Sequence, residues 1–329
     1  MTRPFFSVVI DNCNYGRFLR QAIDSVLAQD LFIEKEAELI VVDDGSTDDS
    51  REILASYGSR LSAILQPNQG QATAFNRGFA QARGEAVCLL DSDDWWLPGK
   101  LSACAVPFDD PKVSAAQHFL EDRDASGPIA RQTFPDWPAR YGIDDFLDAR
   151  THFAATSGLC VRRKSLVEIP SELFYYLDDY LTVRALLDGA LANIPEILGF
   201  HRIHGANWCA GGFENPRKLE RDFRMRELFA RALAKWLEER GMSTTPRYRE
   251  LDALESWRRR VLHAALSAAP REAFDLWREG ARGAGSSFGF FRKATVLLAV
   301  FSPALYLALY KLYSGASSLR ALRLRLFPR

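Results

Sequence analysis

No Cys-x-x-Cys pair occurs in the chain, and its five cysteines (Cys13, Cys88, Cys104, Cys160 and Cys209) are odd in number and widely spaced. A zinc ribbon and a disulfide framework are therefore not what organises it. Cys88 and Cys13 read better as small buried or near-buried residues. Neither sign of charge is in excess: Lys plus Arg and Asp plus Glu number 42 each, so composition indicates no nucleic-acid partner. Met1–Phe6 offers no apolar signal-peptide core, and a reducing, cytoplasmic setting is the expectation. Acidic residues are missing altogether after Glu279, whereas Arg282, Arg292, Lys293, Lys311, Arg320, Arg323, Arg325 and Arg329 fall there. Ala294–Tyr310 carries no charge, but Pro303 interrupts it, and it is at the short limit for a membrane span. Its aromatics and flanking basic residues fit peripheral contact of 288–329 with the inner face of the cell membrane. A buried helical hairpin or a homodimer interface is the alternative.

What the chain does contain is 329 residues, 47% of them apolar, enough for a sizeable core. Residues 5–110 alternate two periodicities. Ser7–Ile10, Leu39–Val42, Leu61–Leu65 and Ala86–Leu90 read as short buried strands. Between them, Phe18, Leu19, Ala22, Ile23, Val26 and Leu27 recur at helical offsets, Ile53 and Leu54 lie in a second helix, and Gln71–Ala82 forms a third. This rhythm predicts an α/β fold with a mixed, mostly parallel central sheet. Ligands in such sheets bind beyond the carboxyl ends of the strands.

Acids collect at those ends. Leu90-Asp-Ser-Asp-Asp94 closes an apolar strand with three carboxylates, Asp91, Asp93 and Asp94, which repel one another unless a cation joins them. Mg²⁺ or Mn²⁺ prefers such oxygen ligands and bridges them to phosphates. A turn is the competing reading. Asp43 and Asp44 end the second predicted strand, and Asp11 ends the first. Asp44 reads as a contact for a nucleotide base or sugar; Asp43 reads equally as a turn residue, and Asp11, the weakest of these acids, reads better as a loop acid. Asp48 and Asp49 belong to a helix first turn. Trp95 and Trp96 read as packing residues beneath the acidic loop.

Taken in order, Ser7-Val-Val-Ile-Asp-Asn-Cys-Asn14, Ile23–Gln29, Ile40–Asp48, Asn68–Gln71, Asn76-Arg-Gly78 and Leu90–Asp94 resemble family 2 glycosyltransferases. The likeness is strong over residues 5–100 and looser over 150–205. It implies a GT-A fold, a nucleotide-sugar donor and Mn²⁺ or Mg²⁺. By that resemblance, Asp11, Asp44, Asn76, Asp91, Asp93 and Asp94 bind donor. Asp93 and His204, the latter near the diphosphate, hold the metal. Ser157 and Gly158 line the acceptor side in Thr156–Arg162. Tyr175–Leu181, running into a helix over Thr182–Leu187, resembles the Glu-Asp motif, with Asp178 at the Glu position and Asp179 as general base. His201, three residues from His204 beyond the strand-like Ile197–Phe200, is expected to be exposed and ordinary. The family usually has Pro-Thr-Tyr-Asn where this chain has Asp11-Asn-Cys-Asn14.

Two further strands are expected at Ser114–Leu120 and Ile129–Phe134, around a polar turn. The domain so outlined is expected over 1–212. Residues 213–329 read as a helical extension, with helices over Leu219–Arg240, Tyr248–Ala269 and Ala273–Ala281. The expected activity is inverting transfer from a nucleotide sugar, by default a UDP-sugar, to a glycan or lipid-linked acceptor in surface polysaccharide assembly. A nucleotidyltransferase would need a Gly-rich basic loop, and Ile10–Leu19 has only Gly16 with Arg17. A non-catalytic nucleotide- or sugar-binding module is the other alternative.

Overall fold

The first strand, β1 (Phe6–Asn12), is buried on both faces, which is why it reads as a continuous apolar run rather than an alternating one. It is followed by α1 (Gly16–Leu27), α2 (Asp30–Ile33), β2 (Ala37–Asp44), α3 (Ser50–Tyr57), β3 (Ser62–Gln66), α4 (Gln71–Gln81) and β4 (Ala86–Asp91). Next come β5 (Trp95–Trp96), α5 (Lys100–Phe108), β6 (Val113–Asp124), β7 (Gly127–Gln132), β8 (Arg140–Tyr141), α6 (Ile143–Leu147), β9 (Leu159–Arg162), α7 (Leu177–Leu186) and β10 (Ala190–Arg202). Among the described residues, three helices follow: α8 (Pro216–Glu238), α9 (Pro246–Leu266) and α10 (Pro270–Gly283). The computed structural model describes residues 4–33, 36–133, 137–148, 150–173, 176–204, 216–267 and 269–283.

The sheet runs β3-β2-β1-β4-β9-β6-β10-β5. β1 to β4 are parallel to one another, as are β6 and β10; β9 joins the two groups antiparallel to both neighbours. The fold is therefore α/β with a mixed, mostly parallel sheet. Full burial of Val8, Val9, Ile10, Leu89 and Leu90 stabilises its centre by about 1.5–3 kcal/mol per side chain. α4 lies so close to β1 that a Cβ on Gly78 would stand 2.3 Å from Val9 Cγ1, so any side chain there would force the helix off the sheet.

Several elements differ from expectation for local reasons. β10 extends far upstream of Ile197–Phe200, because Pro195 is accommodated in a register shift between Ile194 and Ile197. β7 starts two residues early, since Asp124 Oδ1 accepts from the Ser126 amide at 2.7 Å and closes the turn sooner. Residues 156–158 form a single 3₁₀ turn before β9. α7 begins at Leu177, not Thr182. α5 has no counterpart in the sequence reading.

Two compact units emerge: residues 1–205 with 231–242, and 206–230 with 243–329. The first takes in the end of α8, where Leu233 and Leu237 are buried and Trp236 meets Tyr180 at 4.9 Å. The second packs Val261, Leu262, Ala264, Ala265 and Ala273 together, and Trp257 Nε1 donates to Leu276 O at 2.7 Å. Thr245 caps α9, with Pro246 at its first position. The basic apolar tail over 288–329 lies outside the described residues. Among the described residues, no helix is long and apolar enough to cross a membrane.

Candidate active site

The parallel strands β1, β2 and β4 end on one rim, and each delivers acids to it. Register sets Asp11 opposite Asp91 on adjacent strands. Burial, with the charge of Asp93, pushes the Asp11 carboxyl up to about 7, against hydrogen bonding to Asp91 and Gln71. Burial and then the charges of Asp11, Asp94, Asp93 and Asp178 push Asp91 well above the carboxylate range. Gln71 Nε2 donates to Asp91 Oδ1 at 2.9 Å, while Asp11 Oδ1 is buried without a partner.

Asp93 and His204 meet here although 111 residues separate them: Asp93 Oδ2 and His204 Nε2 are 2.9 Å apart. The His204 ring is held by Phe18 and Tyr15, with centroids at 5.0 and 5.5 Å. Burial and the charges of Asp93, Asp91 and Asp11 push the Tyr15 hydroxyl up to about 12, so it stays protonated as a donor. One carboxylate and one imidazole suit Mn²⁺ better than Mg²⁺, which favours all-oxygen surroundings. Among the described residues, no three His, Cys, Asp or Glu side chains form a metal cluster, so such an ion would need ligand oxygens from a substrate and water.

Asp94 is differently employed. Its Oδ2 accepts from Ser157 Oγ at 2.6 Å and its Oδ1 from the Arg202 amide at 2.8 Å. Burial and then Asp93 push it up to about 6, although the His201 charge and these hydrogen bonds oppose the rise. Ser157, expected on the acceptor side, is fully buried under the loop and accepts from the Asp91 amide at 3.1 Å. Gly158 is buried beside it, with Ala154 Cβ and His118 O each 3.0 Å from where a Cβ would be. These two residues support the acids from below.

Asp44 and Asn76 also turn inward. Asp44 accepts from Gln66 Nε2 (2.7 Å) and the amides of Gln69 (2.8 Å) and Gly70 (2.7 Å), shaping the loop before α4. Asp43 ties Asn12 and Arg51 together. Asn76 donates to Ile169 O at 2.7 Å and accepts from Ile169 N at 2.9 Å, so its amide is occupied on backbone rather than turned to the donor. The spacing Asn76-Arg-Gly78 thus reads as packing: one residue pins a loop and the other lets α4 approach the sheet.

Across the rim, α7 brings Asp178 near enough for its charge to act on Asp91. In the helix that starts at Leu177, Asp178 and Asp179 project about 100° apart. Burial pushes Asp178 upward, against hydrogen bonds from the backbone of Asp179 (3.0 Å) and Thr156. Tyr176, just before it, holds a left-handed φ of 62°, a conformation that a bulky residue keeps only where packing enforces it.

Sequence reasoning missed Arg202. Its Nε donates to Asp93 O (2.7 Å) and Nη2 to Gln21 Oε1 (2.6 Å), and its guanidinium lies between Phe18 and Trp95 at 4.4 and 4.3 Å. The alternation of β10 was the available signal: Arg202 and His201 must point to opposite faces. His201 is not the ordinary exposed residue expected. It meets Asp122 at 2.9 Å; burial opposes its charge, but Asp122 and Asp94 hold it up to about 9.

Residues 7–169 match the model described as Glycosyl transferase family 2. An uncharacterized glycosyltransferase of Nostoc sp. is 36% identical over 213 residues, covering 61% of this chain and 65% of that protein. The chain therefore spans just under two thirds of the curated relative it matches. Among solved structures, S. aureus TarS 1–349 with UDP-GlcNAc aligns with a TM-score of 0.57 at 20% identity, covering 84% of this chain and 91% of that one. The Pyrobaculum calidifontis mannosyltransferase PcManGT with GDP-Man and Mn²⁺ gives 0.55 at 19%, covering 98% and 87%. With its motifs in order on the strand ends and its sheet shared with these structures, the chain matches glycosyltransferase family 2 over residues 7–169 and has the GT-A fold.

Proposed function

We propose that this protein is an inverting, metal-dependent glycosyltransferase that moves a sugar from a nucleotide-sugar donor to a hydroxyl of a glycan or lipid-linked acceptor, in surface polysaccharide assembly. The observation that carries the reading is the Asp93–His204 pair at 2.9 Å on the rim that also holds Asp11 and Asp91, with the charge of Asp178 acting on Asp91. Asp93 and His204 would hold Mn²⁺ or Mg²⁺. When bound, that ion supplies charge neutralisation for the diphosphate leaving group. Asp11 and Asp91 face the donor sugar hydroxyls as a carboxylate pair, and Arg202 fixes the Asp93 backbone. Tyr15 and His204 wall the diphosphate side.

The base is assigned to Asp178 rather than Asp179. Its electrostatic reach to Asp91 supports this, and so does an upward-shifted carboxyl, which suits proton abstraction provided it is ionised at working pH. Asp178 takes the acceptor hydroxyl proton; the oxygen attacks the anomeric carbon from the face opposite the leaving diphosphate, and one displacement inverts that centre. A UDP-sugar is the default donor; the GDP-Man bound by PcManGT keeps a GDP-sugar in the test set. Peripheral membrane contact through 288–329 would suit an acceptor on lipid. The assignment is tested by transfer kinetics: Asp178→Asn should lose about a thousandfold in kcat with donor affinity kept, and Asp179→Asn should stay within about tenfold. The reverse ranking would return the base to Asp179.

A further inference from the structure

A second set of ionisable groups lies in the core. Lys100 opens α5 and is fully buried. Its Nζ donates to Cys160 Sγ at 3.1 Å and stands 3.5 Å from the centre of the Trp96 ring. Cys88, Cys104 and Cys160 are all fully buried, Cys88 and Cys160 are register partners on β4 and β9, and the thiols of Cys88 and Cys104 hydrogen-bond to Cys160. Among the described residues, no carboxylate pairs with Lys100.

A buried ammonium without an anion costs several kcal/mol, so its neighbours must balance it or take its proton. His118 is neutral: burial and the Lys100 charge push it down to about 4, and its Nδ1 is 2.9 Å from Phe119 O. That leaves the sulfurs. In water a thiol gives up its proton about two pH units more readily than a lysine ammonium, so a proton shared by the two rests on nitrogen. Of the three sulfurs, Cys160 alone receives the lysine N–H and two S–H donors. Burial by itself would raise its thiol, but these donors bring it well below the ordinary range. Cys88 goes up through burial and Cys104 through its hydrogen bond to Cys160, as befits two protonated partners. The Trp96 face adds a cation–π contact to the same ammonium.

We propose that Cys160 is a thiolate with Lys100 as its counter-ion, and that this buried ion pair positions the acidic segment Asp91–Trp96. The connection is continuous. Lys100 lies against Trp96, Trp96 Nε1 donates to Ser157 O at 2.8 Å, and Ser157 Oγ holds both the Asp94 carboxylate and the Asp91 amide. Lys100 and Cys160 are thus positioning residues for the metal-side acids; the consequence for donor binding rests on the glycosyltransferase reading above.

The test begins with ultraviolet spectra of the folded chain. Wild type minus Cys160→Ala should show one thiolate band at about 240 nm at neutral pH, and Lys100→Met should abolish that band. Should Cys160→Ala fail to fold, the S–H stretching bands of the wild type decide the matter without any variant, since an ionised Cys160 contributes none. In unfolding experiments Lys100→Met/Cys160→Ala, which removes both charges, should be more stable than either single variant. For donor, Lys100→Met should raise KM about tenfold with a smaller change in kcat. A folded wild type with no thiolate band, or with an S–H band for Cys160, overturns the proposal, as do single-variant losses that simply add in the double. Spectra and unfolding need no substrate, so failure of the glycosyltransferase reading leaves them standing, and failure here leaves transfer untouched.

Discussion

Two groups of charged side chains adjoin the Asp91–Trp96 segment and are balanced in opposite ways. On the rim, burial and neighbouring carboxylates push Asp11, Asp91 and Asp94 up, and Asp93 meets His204. In the core, Lys100 and Cys160 satisfy each other, and no outside ion is called for. The difference separates ligand binding from scaffolding. An unbalanced cluster at the mouth of a sheet is stable only with a partner from solution, whereas a balanced one in the core serves the chain itself. Residues of the first kind should control ligand affinity when changed; residues of the second kind should control stability.

The sharpest break would come from His204. His204→Ala should weaken divalent-ion affinity in the presence of nucleotide by about 10–100-fold, with unfolding little changed, as titration calorimetry would read it. An equal loss of stability would move His204 into the scaffold. Asn76 supplies the converse. Asn76→Ala leaves both backbone groups of Ile169 unpaired and should cost about 2 kcal/mol in chemical unfolding, while donor KM stays within twofold. A large KM effect without destabilisation would restore it to the donor site.

The smallest effect expected is at His201. Its folded pKa is raised from the ordinary 6.5 to about 9, so its pairing with Asp122 stabilises the fold fully below about pH 6.5 and fades as pH rises through about 9. His201→Gln should therefore cost about 1 kcal/mol near pH 6, after solvent screening, and almost nothing near pH 10, by thermal unfolding at both. A pH-independent loss would mean that packing, not charge, is what the ring provides.

The first hundred residues were legible because each acid there follows its own strand: Asp11, Asp44 and Asp91 close apolar runs that can hardly be anything but buried parallel strands. The strand ends told where a carboxylate lies, not what its oxygens bond to. Asp44 and Asn76 turn to backbone amides and carbonyls that no periodicity reveals. The second half was harder because its parts meet across long separations. Ser157 reaches Asp94, and Arg202 and His204 reach Asp93, only once β9 and β10 are in place. The Asp178–Asp179 pair turned on five residues of helix start. Leu177 precedes two acids that favour a helix first turn, a signal that was present but was outweighed by the later apolar run. Lys100 was invisible for a simpler reason: a lysine opening a helix ordinarily points to water.

The most direct test of the central claim is thermal unfolding of wild type and Asp93→Asn with UDP, GDP, dTDP or CDP, each with and without Mn²⁺. The account predicts that one nucleotide stabilises wild type only when Mn²⁺ is present, and that Asp93→Asn, folded as before, loses this response. Stabilisation by none of the four, or an undiminished Mn²⁺-dependent response in Asp93→Asn, would contradict a metal–diphosphate site on this rim.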